Sequence, residues 1–237
     1  MKNMIPAAED LLFGIYNTQQ NEYYRLCERN SGKGTIKAFD VSFSDEMPYE
    51  VRFHNKNTFS YYAVALFCDG MLTKDTRYTR DKFILSPDKN AVYLVEPNTH
   101  YAIKGFYIDD ERVREFVVSK SLRQSAAREE GILGSEGLIE VLLYPIDFTF
   151  SQNDKVTLLK LHKELKEAEK EEERPTPIGT QFMSVTTYGR DMFSERLRLG
   201  KKIGDTYSAM CADAYDKGAY QLDEKKCTAL QIHMHVE

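Results

Sequence analysis

"SYYAVALFC", residues 60–68, is the stretch on which the reading of this chain turns. Successive side chains of a strand point to opposite faces. Here Tyr62, Val64 and Leu66 fall on one face and Tyr61, Ala63, Ala65 and Phe67 on the other, so both are apolar. A strand of that kind suits the centre of a packed sheet. Asp69 and Gly70 follow at once, a pair that favours a tight hairpin turn. Upstream, "YEVRFHN" (49–55) sets Tyr49, Val51 and Phe53 against Glu50, Arg52 and His54, and "TIKAFDVSF" (35–43) alternates less regularly through Ile36, Ala38, Val41 and Phe43. Downstream, "KFILS" (82–86), "AVYLV" (91–95), "HYAIKGFYI" (100–108), "REFVVSK" (114–120) and "GLIEVLLYP" (137–145) are further strand candidates, parted by Pro87, Pro97-Asn98 and Asp109-Asp110. Short strands with turn residues between them, spaced by ~8–12 residues, predict a mainly β fold, an antiparallel β-sandwich or jelly-roll-like barrel, over residues 35–150.

Helical periods flank that region. Pro6 is suited to a helix start, and Leu11, Leu12, Ile15 and Tyr16 fall on one side at helical spacing, which predicts an N-terminal helical extension over residues 1–34. Ser151 with Asp154 three residues on resembles a capping box, and Leu158, Leu161, His162 and Leu165 keep a helical stripe until Pro175 breaks it. The spacing predicts a helix over about 152–173, within a charged arm or linker at 151–177. "KEAEKEEER" has almost no apolar face, so that arm should be solvated. From residue 178 to 237 the strand pattern returns, weaker, in "GTQFMSVTTYG", "GDTYSAMCADAY" and "TALQIHMHVE". These segments either complete the first sandwich or form a second small β lobe.

Composition removes several function classes. A formal net charge of -5 argues against nucleic-acid binding, which needs a basic surface. "SGKGT" (31–35) invites a phosphate-loop reading and fails it: Lys33 is followed by Gly34 rather than Ser or Thr, and Cys27 stands where the first glycine belongs. Cys27, Cys68, Cys211 and Cys227 show no C-x-x-C spacing, so neither a zinc ribbon nor a redox dithiol is written here. Glu9 and Asp10 interrupt the amino-terminal segment where a signal peptide would be apolar, and "GLIEVLLYPI" is far shorter than the ~20 residues of a spanning helix. The expectation is an intracellular or virion protein with no signal peptide and no membrane span.

Residues 48–145 resemble a largely uncharacterised family of β-rich domains, known mainly from bacterial proteins and also from large DNA viruses. The likeness runs through "YEVRFHNKN", "VALFCDG", "FILSP", "AIKGFYIDDERVREFVVSK", "SAAREEG" and "GLIEVLLYP". Residues 178–222, from "IGTQFMSVTTYGR" to "DAYDKGAYQL", resemble the part of the family that follows its variable linker, more faintly. Phe106 stands where the family usually has Trp, Cys68 replaces a Val, and the linker is a charged helix. The resemblance implies a β-rich surface or structural module and carries no catalytic residue set.

The chemistry-bearing residues are few. His233 and His235 share a face if "IHMHVE" is a strand, and Glu237 would add an oxygen ligand, yet two imidazoles at that spacing are common without a metal and read more simply as an ordinary exposed strand face or interface. Asp109, Asp110 and Glu111 lack calcium-loop spacing and read as an acidic turn beside Arg112. His54 and His100, with Cys68, lie in no nucleophile signature. Fifteen Tyr and thirteen Phe without Trp form a high aromatic load that either fills the core or supplies contact surface. No residue is therefore assigned a catalytic, cofactor-binding or metal-binding role. The expected function is a non-catalytic structural or assembly protein that binds protein partners or itself. The alternatives are a sandwich-type small-molecule or carbohydrate-binding module and an enzyme with a cryptic His/Asp site.

Overall fold

Twofold alternation becomes strand along much of the first unit. The computed structural model describes residues 3–29, 36–57, 60–97, 99–109, 112–120, 131, 134–148, 151–154, 156, 157, 159, 160, 163, 210 and 220–236. The chain divides into two units, Met1–Ile146 with Gln221–Glu237, and Asp147–Tyr220. In the first unit the strands are β1 (Ile5–Pro6), β2 (Leu11–Asn17), β3 (Glu22–Tyr23), β4 (Cys27–Arg29), β5 (Lys37–Phe43), β6 (Pro48–Asn55), β7 (Tyr61–Cys68) and β8 (Met71–Leu72). A helix α1 (Arg80–Leu85) follows, then β9 (Tyr93–Val95), β10 (Thr99–Ile103), β11 (Gly105–Asp109), β12 (Arg112–Val117), β13 (Leu138–Ile146) and β14 (Thr228–Val236). No helix among the described residues is long and apolar enough to cross a membrane.

Two sheets form. In the first, β6 is central: β2 lies on one side, with Phe13 opposite Phe53, and the other side is shared by β10, with Tyr101 opposite Phe53, and β12, with Phe116 opposite Tyr49. β1 and β3 continue outward from β2, and β11 folds back on β12. The second sheet runs β4-β5-β14-β13-β7-β8, with β9 also on β7. Among the described residues all strand pairings are antiparallel except that of β14 with β5, where Leu230 to Val236 run parallel to Lys37 to Phe43. The last strand thus fills the middle of the second sheet.

The inward faces of both sheets meet in one core. Leu11, Phe13, Ile15, Val51 and Phe53 come from the first sheet and Val41, Val64, Leu66, Val141, Leu143, Leu230 and Ile232 from the second. Aromatic rings link the layers: Tyr24 to Phe43 at 4.5 Å between centroids, Phe43 to Tyr49 at 5.4 Å, and Tyr49 stacked on Phe116 at 5.2 Å. Such pairs add about 0.5–1.5 kcal/mol each beyond the area they bury. β7 is buried at every position. α1 covers part of its second face, with the buried ring of Phe83 edge-on to Phe67 at 5.7 Å.

Two expectations are corrected. Residues 1–34 are not a helical extension: Leu11–Asn17 is strand β2. Leu11, Phe13 and Ile15 are wholly buried in the core, so the period of two, carried by Phe13, overrides the helical spacing of Leu12 and Tyr16. Gly14 belongs to this strand for a packing reason, since a Cβ there would meet Tyr23 Cδ1 at 2.8 Å. "KFILS" is not a strand either and belongs to α1, whose start is capped by Thr79 Oγ1 accepting from the Lys82 amide. The Asp69-Gly70 turn stands as expected, both residues at positive φ (53° and 83°) between β7 and β8.

In the second unit, helical backbone is described at residues 152–154, 156, 157, 159, 160 and 163, and the Asp154 amide donates to Ser151 Oγ at 3.2 Å as a cap. The rest of the expected charged helix lies outside the described residues. So do residues 31–35, "GTQFMSVTTYG" and all of "GDTYSAMCADAY" but Met210.

The strand assignment of the N-terminal segment is testable. We predict that Phe13→Ala lowers unfolding free energy by about 3–5 kcal/mol, because the ring is fully buried against Phe53 at 5.5 Å, and that Leu12→Ala, on the outer face, costs no more than about 1 kcal/mol. Urea denaturation of the two variants decides this; equal losses would contradict the alternation.

Candidate functional site

Parallel pairing of β14 with β5 sets His233 opposite Asp40 and His235 opposite Ser42. His235 then reaches Asp40: Nε2 stands 2.8 Å from Oδ1, and Arg29 Nη1 lies 3.9 Å from the same oxygen. The hydrogen bond from His235, with Arg29 adding to it, holds the Asp40 carboxyl below its usual range. This is a surface contact, since both side chains are substantially exposed, and it is an ion pair only when the imidazole is protonated. Glu237 lies outside the described residues, and among the described residues no group of three or more His, Cys, Asp and Glu is placed to hold a metal ion.

His54 and His100 face each other across β6 and β10. Their rings stack at 3.8 Å between centroids and 19° between planes. His54 Nδ1 is buried with no hydrogen-bond partner among the described residues. Burial pushes the His54 imidazole below its ordinary range, and the neighbouring His100 and Lys56 push the same way. Cys68 does not join the pair. It lies in the core, on the inward face of β7, where Tyr49 Oη stands 3.9 Å from its Sγ, and burial pushes its thiol up, which makes the thiolate scarce. His54 alternates with core-facing Phe53 and so lies on the outer face of the first sheet. Asp109 is held by the Arg112 guanidinium at the tip of the β11–β12 hairpin, while Asp110 and Glu111 lie outside the described residues.

The aromatic load divides between core and surface. Tyr49, Tyr61, Tyr62, Tyr93 and Tyr144 are buried. Tyr16 and Tyr23 stand on the outer face of the first sheet, edge to face at 5.0 Å. The Arg52 guanidinium lies 3.3 Å from the centroid of Tyr16 and is itself held by Glu50, with Nε to Oε2 at 2.8 Å. That stack closes a face of Tyr16 to any ligand.

What sequence reading misses is the β11–β12 hairpin as a surface. Tyr107 is 37% exposed, Ile108 55%, Val113 45% and Val117 52%, and Tyr107 pairs with Val113 across the hairpin. The alternation in "GFYIDDERVREFVV" reads as two ordinary strands; only the folded sheet reveals that these large apolar side chains stay exposed. Phe106 and Phe116 turn the other way and pack edge to face at 5.4 Å. Gly105 fixes the close approach of the two strands, because a Cβ there would stand 2.1 Å from the Arg114 carbonyl oxygen.

Comparisons of this chain with protein-family models, with curated proteins and with solved structures give no match in any of the three.

The partly buried His54 has a pH consequence. Its folded-state pKa lies below the ordinary value of ~6.5, so as pH falls through that value the unfolded chain takes up a proton that the folded chain resists, and stability falls until the folded value is passed. We predict that the urea midpoint declines from pH 7 to pH 5 and that His54→Gln flattens this decline. A variant with an unchanged slope would place the effect elsewhere.

Proposed function

We propose that this protein is a non-catalytic structural or assembly module, of the kind found in a virion or another large intracellular complex, that meets neighbouring protein through the β11–β12 hairpin. The observation that carries the reading is the exposed cross-strand pair of Tyr107 and Val113, with Ile108 and Val117 also exposed on the same hairpin. Monomeric proteins seldom leave such a group of β-branched and aromatic side chains in water without use. The hairpin is also stiff, since Phe106 and Phe116 root it in the aromatic series that links the two sheets. A preformed surface loses little entropy when it binds.

The resemblance over residues 48–145 points the same way, toward a β-rich surface or structural module. A carbohydrate-binding module needs an open aromatic platform, and the Arg52 stack on Tyr16 argues against one at the tyrosine group of the first sheet. The histidines read as sheet-face contacts: His235 is engaged by Asp40 and His54 by His100. A formal net charge of -5 favours protein partners over nucleic acid.

Light scattering after size exclusion, over a wide range of protein concentration, tests the reading. We predict a mass that rises with concentration, and a return to the monomer mass in Val113→Asp and Ile108→Asp, with association weakened about tenfold to a hundredfold. Both positions are exposed, so their urea midpoints should stay near that of the parent. A parent chain that remains monomeric throughout would overturn self-assembly.

A further inference from the structure

The turn that follows β8 carries Thr73 and Lys74, and the sequence offers no reason to single out either. Thr73 is fully buried. Its carbonyl accepts from the Tyr107 amide at 2.7 Å, and its hydroxyl donates to Tyr93 Oη at 3.3 Å. These bonds clamp the turn against β9 and β11 and fix where Lys74 begins. The lysine side chain is only partly exposed, and its Nζ sits 5.3 Å from the centroid of Tyr93, whose ring neighbours Tyr101 at 6.1 Å.

No carboxylate meets this ammonium among the described residues. The adjacent Asp75 would be the natural partner and is already engaged, receiving Arg77 Nε at 2.9 Å and Arg77 Nη2 at 2.6 Å as well as the Arg77 amide at 3.1 Å. Burial alone pulls the Lys74 amine below the usual lysine range, with no anion pulling it back up. A half-buried charge is ordinarily paired, because removing it from water costs more than an aromatic face returns.

We propose that Lys74 is the cationic anchor of a carboxylate-binding site between the Thr73 turn and Tyr93. The uncompensated charge is a single one, which matches a monoanion; a doubly charged phosphate would bring a second charge that this one ammonium leaves unpaired. The ligand class is a carboxylate whose remainder is apolar or aromatic enough to lie along the tyrosine rings. Binding moves one proton at most: where the amine is neutral, it is taken up at Nζ as the anion arrives.

The experiment uses the full chain with carbon-13 label, following the lysine ε-methylene resonances while sodium acetate, and separately inorganic phosphate, is added at constant ionic strength. The expected result is a saturable shift for Lys74 with acetate, a rise in the pH midpoint of Lys74 in acetate relative to chloride, and only slight linear drift for the other lysines. In Lys74→Met acetate binding, read from the ring resonances of Tyr93, should weaken at least about tenfold. The midpoint shift is read in the parent chain alone, so it stands even if the variant folds poorly. A Lys74 response no larger than that of the exposed lysines would overturn the site. Saturation by phosphate at a lower concentration than acetate would overturn the carboxylate assignment.

Discussion

A strand whose eight residues are all withdrawn from water needs cover on two sides, and meeting that need for β7 organises much of this protein. One side is met by the first sheet, whose Phe13, Val51 and Phe53 share the core with Val64 and Leu66. Part of the other is met by α1, six residues long, which is held by a Thr79 cap and contributes a single buried ring, Phe83. A helix this short has little stability of its own, so its formation depends on docking that ring against Phe67.

Polar groups tie the same region together. Glu140 points away from the core yet is buried, beside Phe67 in register on β7. Its Oε1 accepts from Gln231 Nε2 on β14 at 2.8 Å and lies 2.9 Å from Arg80 Nε at the start of α1, an ion contact without hydrogen-bond alignment. One carboxylate therefore links β13, β14 and the covering helix. Removing a member of such a set leaves a buried group unpaired, which costs more than the bond itself contributes. On the first sheet the Arg52 guanidinium does similar work between Glu50 and Tyr16.

The strands that bury one or both faces completely were legible from residue pattern: β6, β7 and β13 follow the alternation that "YEVRFHN", "SYYAVALFC" and "GLIEVLLYP" display. The N-terminal strand was not, because Leu11, Leu12, Ile15 and Tyr16 satisfy a helical spacing while Leu11, Phe13 and Ile15 satisfy a strand, and only the core decides between them. "KFILS" misled for the opposite reason. Its apolar run is short, and the capping residue that makes it helical lies three positions upstream of Lys82. Little of the candidate site was legible. Exposure of Val113 and Val117 depends on what fails to cover them, and the Asp40 contact of His235 depends on a parallel register between residues 195 apart in sequence.

That parallel register has a bearing on synthesis. Ribosomes deliver residues 37–43 and 138–146 long before residues 228–236, so until the last strand arrives the second sheet is two separate halves, each presenting an unpaired backbone edge next to apolar side chains. Closing the gap requires β14 to find its place between them across the roughly eighty residues that separate it from β13, a slow event by loop-closure entropy. The nascent chain therefore stays adhesive until β14 emerges, and a holding chaperone acting on emerging polypeptide would find its strongest client surface at those two edges.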